Sequence, residues 1–198
     1  MEVATLVSGG KDSTYAHWLA EQSGHEIVKL VTMIPEANDS WMFQKSTPKI
    51  MDLYSQTTGI PIIKKSTAGK KESEIDDLKN ALEGLEIDGI VTGVVNSNYQ
   101  RKRVKKICKK IGIDMITPIW KKDPSNLLKS MIENDFVSII SSVSAKGLDK
   151  KWLGRKINKK NLEKLRKLNE EYGIHLSGEG GEYETLALNS PFFKKRIK

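Results

Sequence analysis

The chain has 198 residues and a mass of 22.3 kDa, enough for one domain, or one with a small extension, to bury a core without a disulfide or metal staple. Its 38% hydrophobic and 29% charged residues, with 15 Gly and 6 Pro, exclude a collagen-like or wholly disordered chain, and the single Cys108 excludes an intrachain disulfide or a multi-cysteine zinc site. A net charge of +8 and an isoelectric point near 9.4 favour phosphate-bearing or acidic partners, or else mean only a lysine-rich solvated surface.

Val3 to Val7 reads as a buried strand, stopped by Ser8-Gly9-Gly10. A helix is expected from Ser13 to Ser23, a second strand from Glu26 to Ile34, a loop from Asn38 to Thr47, and a helix from Pro48 to Thr58. Ile60–Lys64 reads as the third strand, Glu72–Glu83 as a helix and Gly89–Val95 as the fourth strand. A strongly basic helix follows over Asn98–Ile111, then a fifth strand over Met115–Ile119. Strand and helix alternate, so the first 120 residues predict a parallel sheet covered by helices on both faces, since parallel neighbours need crossovers. Beyond a soft boundary at 120, residues 121–198 predict a smaller α+β part packed on the first. Its elements are a helix over Ser125–Asn134, a strand over Val137–Val143 and a long helix over Lys159–Tyr172. No apolar run approaches the roughly 20 residues of a membrane span. The N-terminus lacks a signal-peptide pattern, so a cytoplasmic protein without a membrane partner is expected.

Three motifs carry chemistry. Ser8-Gly9-Gly10-Lys11-Asp12-Ser13 ends a strand and opens a helix. Its two glycines permit a tight turn with inward N–H groups, and the helix N-terminus favours an anion. Ser8 and Ser13 add hydroxyl donors, and Lys11 adds a full charge. Asp12 suits Mg²⁺ carried on a phosphate. The alternative is a plain turn with Asp12 or Ser13 as helix cap. Gly93 to Arg101 follows the fourth strand and should share a rim with the first loop. There Gln100 and Arg101 can reach phosphate, while Asn96, Ser97 or Asn98 can cap the helix. Gly178-Glu179-Gly180-Gly181-Glu182-Tyr183-Glu184-Thr185 crowds three carboxylates. They call for a cation among them, or form an exposed acidic turn.

The first motif resembles the PP-loop of the ATP pyrophosphatase superfamily, which implies a five-stranded parallel sheet of adenine-nucleotide-hydrolase type. Together with Asn98-Tyr99-Gln100-Arg101, the acidic glycine motif, Val143-Ser144-Ala145-Lys146-Gly147-Leu148-Asp149 and Trp41-Met42-Phe43, it resembles the diphthine–ammonia ligase, or diphthamide synthase, family. The chain departs from that family's pattern at Gln44, where a histidine is usual, and at Asn98, where an acidic residue is usual.

The resemblance implies ATP-dependent amidation of diphthine on translation elongation factor 2. ATP, Mg²⁺ and free ammonium take part, through an acyl-adenylate that releases AMP and pyrophosphate. It places Ser8, Gly9, Gly10, Lys11, Asp12, Ser13, Gln100 and Arg101 on ATP, with Asp12 also toward Mg²⁺. Asn98, Tyr99, Glu179, Gly180, Gly181, Glu182 and Tyr183 fall on the substrate. Catalysis falls to Lys11, Asp12, Glu182 and Glu184. Nucleic acid is not required, and a homo-oligomer remains open. Two other readings stay open: a PP-loop tRNA-modifying enzyme, and a non-catalytic nucleotide-binding module. Lone Cys108, at helical spacing with Val104 and Ile111, reads as a buried thiol rather than a persulfide carrier. His17, His25 and His175 lack metal-ligand spacing, and His17 reads as packing.

Overall fold

Val3, Ala4 and Thr5 are wholly buried because the first strand, β1 (Glu2–Leu6), lies at the centre of a five-stranded parallel sheet. The computed structural model describes residues 1–36, 48–68 and 73–198. In chain order the next elements are α1 (Lys11–Gln22), β2 (Glu26–Pro35), α2 (Pro48–Thr58), β3 (Ile62–Thr67), α3 (Ser73–Leu82), β4 (Gly89–Thr92), α4 (Asn98–Ile111) and β5 (Asp114–Ile116). The sheet order is β3-β2-β1-β4-β5. Thr5 pairs with Leu30 on one side and Val91 on the other. Strand order therefore reverses between β1 and β4, which opens a crevice beyond their carboxyl ends.

Alternation along the strands separates two cores. Val3, Leu30 and Val91 pack with Tyr15 and Ala16 of α1 and Met51 and Tyr54 of α2. Ala4, Val31 and Ile90 point to the other face, against Leu78 of α3 and Val104, Ile107 and Cys108 of α4. The first core continues into the remaining residues, α5 (Pro124–Glu133), β6 (Val137–Val143), a 3₁₀ turn (Lys150–Trp152), α6 (Lys159–Tyr172) and β7 (Tyr183–Asn189). There β6 and β7 form an antiparallel pair, with Val143 opposite Tyr183.

The structure differs from the sequence reading at several places. The first helix starts at Lys11 rather than Ser13, and the fourth strand ends at Thr92 rather than Val95, where the chain turns into the loop of Gly93. The third strand starts at Ile62 rather than Ile60 and runs on to Thr67. Pro61 has no N–H to give a ladder, and only its carbonyl is used, accepting from Leu30 N–H at 2.9 Å. The fifth strand stops at Ile116. Pro118 interrupts the expected run, and Trp120 N–H turns back to the Thr117 carbonyl at 3.2 Å. The acidic glycine motif is not all loop, because Tyr183, Glu184 and Thr185 begin β7. The expected loop over Asn38–Thr47, with Trp41, Met42, Phe43 and Gln44, lies outside the described residues. Among the described residues no helix is long and apolar enough to cross a membrane.

Candidate functional site

The loop from Ser8 to Ser13 leaves β1 at the crevice. Gly9 has φ +80°, and a Cβ there would sit 2.7 Å from Met51 Cε. The left-handed conformation favours glycine, whereas the methyl end of Met51 is a flexible tip that can give way. Gly10 opens α1 with no side-chain cap, so neither Asp12 nor Ser13 is the cap that the alternative reading needs. Ser13 turns back instead: its Oγ donates to the Gly10 carbonyl at 3.2 Å and accepts from Ser8 N–H at 3.3 Å. Gly10 N–H donates to Ser8 Oγ at 3.3 Å. The turn is held by its own hydroxyls, and the N-cap residue Gly10 has no side chain to close the amino end of α1.

The loop after β4 lies directly against this turn. A Cβ on Gly93 would come within 2.5 Å of Ser13 N and 2.8 Å of Asp12 C. Only a residue without a side chain lets the two rims meet. A few residues on, Ser97 caps α4 by accepting from Gln100 N–H at 3.3 Å. Asn98 is exposed. The Arg101 guanidinium lies 4.7 Å from the Trp120 ring centroid, and that of Arg103 lies 3.4 Å from the Tyr99 ring. One face of Tyr99 is thus covered, and its body packs with the second core.

Lys11 is 3% exposed and points toward the C-terminal part. Its Nζ donates to the Ser177 carbonyl at 2.6 Å and to Asp12 Oδ2 at 2.7 Å, 5.7 Å from the Tyr183 ring centroid. An ammonium has three donors, so one stays available for a phosphate oxygen. Two further bonds stitch the loop to β7: Lys11 N–H donates to Thr185 Oγ1 at 3.1 Å, and Ala187 N–H to the Gly9 carbonyl at 2.8 Å. Asp12 Oδ1 is buried without a hydrogen-bond partner. An orphaned carboxylate oxygen beside an uncapped helix N-terminus fits a hard cation carried on a phosphate. Among the described residues no three His, Cys, Asp or Glu side chains are grouped to hold a metal, so Asp12 would share Mg²⁺ with phosphate oxygens and water.

The acidic glycine loop closes the third side. Glu179 reaches into the crevice, where its Oε2 accepts from Asn96 N–H at 3.3 Å. Burial first, then the charge of Asp12, pushes its carboxyl up to about 7, against the lowering effects of Lys11 and the Asn96 N–H. Glu182 is folded back on its own loop. Its Oε1 accepts from His175 N–H at 2.8 Å and its Oε2 from Gly180 N–H at 2.9 Å. Gly181 offers its carbonyl to Ser144 Oγ. Tyr183 donates its hydroxyl to the Leu176 carbonyl at 2.7 Å, and burial holds that hydroxyl well above its usual range, so it remains a donor. Glu184 stands opposite Ser142 on β6. Strand alternation turns it to the face of β7 away from Tyr183 and Thr185.

The structure therefore brings together Ser8–Ser13, the Asn96 loop and Glu179. It does not bring the three glutamates into one cluster. Sequence reasoning gave no role to Ser177, Thr185 or Gly93, and offered Asn96 only as a helix cap, a place that Ser97 takes. Thr185 had a signal, falling with Tyr183 and Ala187 at the period of two of a half-buried strand. Ser177 acts through its carbonyl, which leaves no trace in residue type. His17 is buried and stacked on Phe192 with 4.2 Å between ring centroids, consistent with packing. Cys108 is buried, which pushes its thiol up to about 11.

The chain matches two family profiles, the diphthamide synthase N-terminal domain over residues 1–115 and the diphthamide synthase C-terminal domain over residues 123–198. It is 36% identical to a diphthine–ammonia ligase of Bos taurus, over all of this chain and 82% of that one. It is 35% identical to that of Homo sapiens, with the same coverage. With that of Saccharomyces cerevisiae the identity is 30%, over 98% of this chain and 34% of the other. Among solved structures, a predicted subunit of a tRNA methyltransferase from Methanocaldococcus jannaschii shares the fold, with a TM-score of 0.51, 15% identity and both chains covered in full.

Proposed function

The chain belongs to the diphthamide synthase family, and from that premise we propose that it is the ATP-dependent ligase that joins ammonia to the carboxylate of diphthine on elongation factor 2. The observation that carries this reading is Glu179. It is held against the loop after β4 and beside Asp12 of the loop after β1, so a carboxylate near neutrality faces an anion-binding helix end.

A carboxylate is a poor electrophile because oxide is a poor leaving group. Transfer of AMP to that oxygen, with release of pyrophosphate, gives ammonia a displaceable group. The N–H groups of Asp12 and Ser13 at the start of α1, the hydroxyl of Ser8 and the third donor of Lys11 bind the departing pyrophosphate. Asp12 would hold a Mg²⁺ carried on the nucleotide, and the ion would neutralise phosphate charge. Gln100 and Arg101, in the first turn of α4, flank the nucleotide from the other rim. Glu179 holds the ammonium and accepts its proton before attack, a task that suits a carboxyl near 7. Glu182 keeps the loop in shape so that Glu179 is aimed. Catalysis is then chiefly positioning plus charge stabilisation.

The test is to incubate the protein with diphthine-bearing elongation factor 2, Mg·ATP and ammonium. AMP and a factor mass lowered by replacement of hydroxyl with NH₂ are expected. ADP in place of AMP, or an unchanged factor mass, overturns the reading.

A further inference from the structure

The helix that begins beside the site carries a charge pattern that nothing inside the molecule explains. Lys102, Lys105, Lys106, Lys109 and Lys110 are all exposed, and α4 contains no Asp or Glu. At 3.6 residues per turn the five lysines fall within an arc of about 140°, opposite buried Val104, Ile107 and Cys108. Like charges four apart recur at Lys102–Lys106, Lys105–Lys109 and Lys106–Lys110, and each such pair weakens a helix. Lys109 and Lys110 suit the carboxyl end of the helix dipole, whereas Lys102 stands near the positive end. Among the described residues none of the five makes an ion pair. By contrast α6, of the same length with four lysines, intersperses Glu163, Glu170 and Glu171, and its Arg166 pairs with Glu163.

The stripe is continuous with the site. Asn96, two residues before α4, donates its N–H to Glu179. From there the lysines run outward along the helix for about 12 Å, at 1.5 Å per residue. A side chain presented on a large protein enters the crevice only if the surface around it rests on this rim.

We propose that the lysine stripe of α4 docks an acidic segment of the protein substrate, setting the approach of the modified residue to Glu179. The inference rests on the amidation reading above. A protein occupant is favoured over single-stranded RNA because the stripe offers no free ring for a base to stack on. Arg103 lies over the one aromatic of α4, Tyr99, which packs with the core.

The test is the variant Lys102→Gln/Lys105→Gln/Lys106→Gln/Lys109→Gln, which keeps helix formers and removes like-charge repulsion. Thermal unfolding should show it at least as stable as the parent. The KM for diphthine-bearing elongation factor 2 should rise about tenfold or more, and its dependence on salt should flatten, while the KM for ATP stays put. Fluorescence anisotropy of labelled elongation factor should show the same loss of binding without turnover, so the docking claim is decided even if the parent makes no amide. Equal affinity of parent and variant for the factor overturns the proposal. So does a double-stranded RNA that binds the parent but not the variant while affinity for the factor is unchanged.

Discussion

Lys11 Nζ lies 2.6 Å from the carbonyl oxygen of Ser177, 166 residues further along the chain. This bond joins the first turn of α1 to the loop that bears Glu179, so the glycine-rich turn and the acidic loop share one buried ammonium.

Replacing Lys11 therefore has two effects. Lys11→Met leaves the Ser177 carbonyl and Asp12 Oδ2 without their donor, at a cost of about 1–3 kcal/mol in stability. It also removes the charge offered to pyrophosphate, so AMP formation should fall to background below the unfolding temperature. Normal ATP turnover by this variant would falsify the assignment of the loop.

Glu179 makes stability and activity oppose each other in pH. Its carboxyl sits at about 7 in the fold against 4.5 unperturbed. Between those values the folded chain binds more protons than the unfolded one, so stability decreases as pH rises through that window and levels off above it. Glu179→Gln removes the penalty and should be more stable than the parent at alkaline pH, by at most about 3 kcal/mol. In the parent, kcat/KM for ammonium should climb with pH through about 7. The Gln variant should lose both rate and slope; a slope that survives in it removes Glu179 as the proton acceptor.

Glu182 acts at one remove. Its two carboxylate oxygens hold two backbone N–H groups, and its charge helps to raise Glu179. Glu182→Gln keeps one acceptor and drops the charge, so the alkaline climb should shift to lower pH with most of the rate kept. Glu182→Ala frees both N–H groups and should lose most of the rate. An unmoved pH profile in the Gln variant would show that the two glutamates are not coupled.

Gly93 is where the two rims touch. In Gly93→Ala the new methyl meets the backbone of Ser13 and Asp12, which cannot swing aside as a side chain does. A loss of about 1–3 kcal/mol is expected, together with weakened ATP binding by calorimetry. Gly93 is not left-handed, so its effect is steric; Gly24→Ala, strained by its φ of +84° but with nothing within 4 Å, is the comparison away from the rims. It should leave ATP affinity intact, and equal damage from both variants would remove the steric argument.

Helices α4 and α6 were legible to the residue, while α1 and α5 start one or two residues before the positions their patterns predict. Ser97 and Gly112 bound α4, and Asn158 and Gly173 bound α6. The strands were less so, because Pro61 and Pro118 shift ladder ends without changing hydrophobicity. Tyr183–Thr185 read as loop because the glycines before them dominate the pattern. In the site, the glycine turn was visible because its residue types are its mechanism. The partners that aim it were not: the Ser177 carbonyl and the Asn96 N–H belong to the backbone, and every residue has those. Glu182 was visible as an acid, yet its contacts, not its type, decide what it does.

The Ala187 N–H that meets the Gly9 carbonyl has a consequence for biosynthesis. The turn after β1 is synthesised well before β7, which carries its last fastening. A nascent chain can lay down the parallel sheet early, but its nucleotide turn stays unfinished until β7 emerges. An arrested or prematurely ended polypeptide would thus carry the whole phosphate-binding signature and still lack a competent cleft.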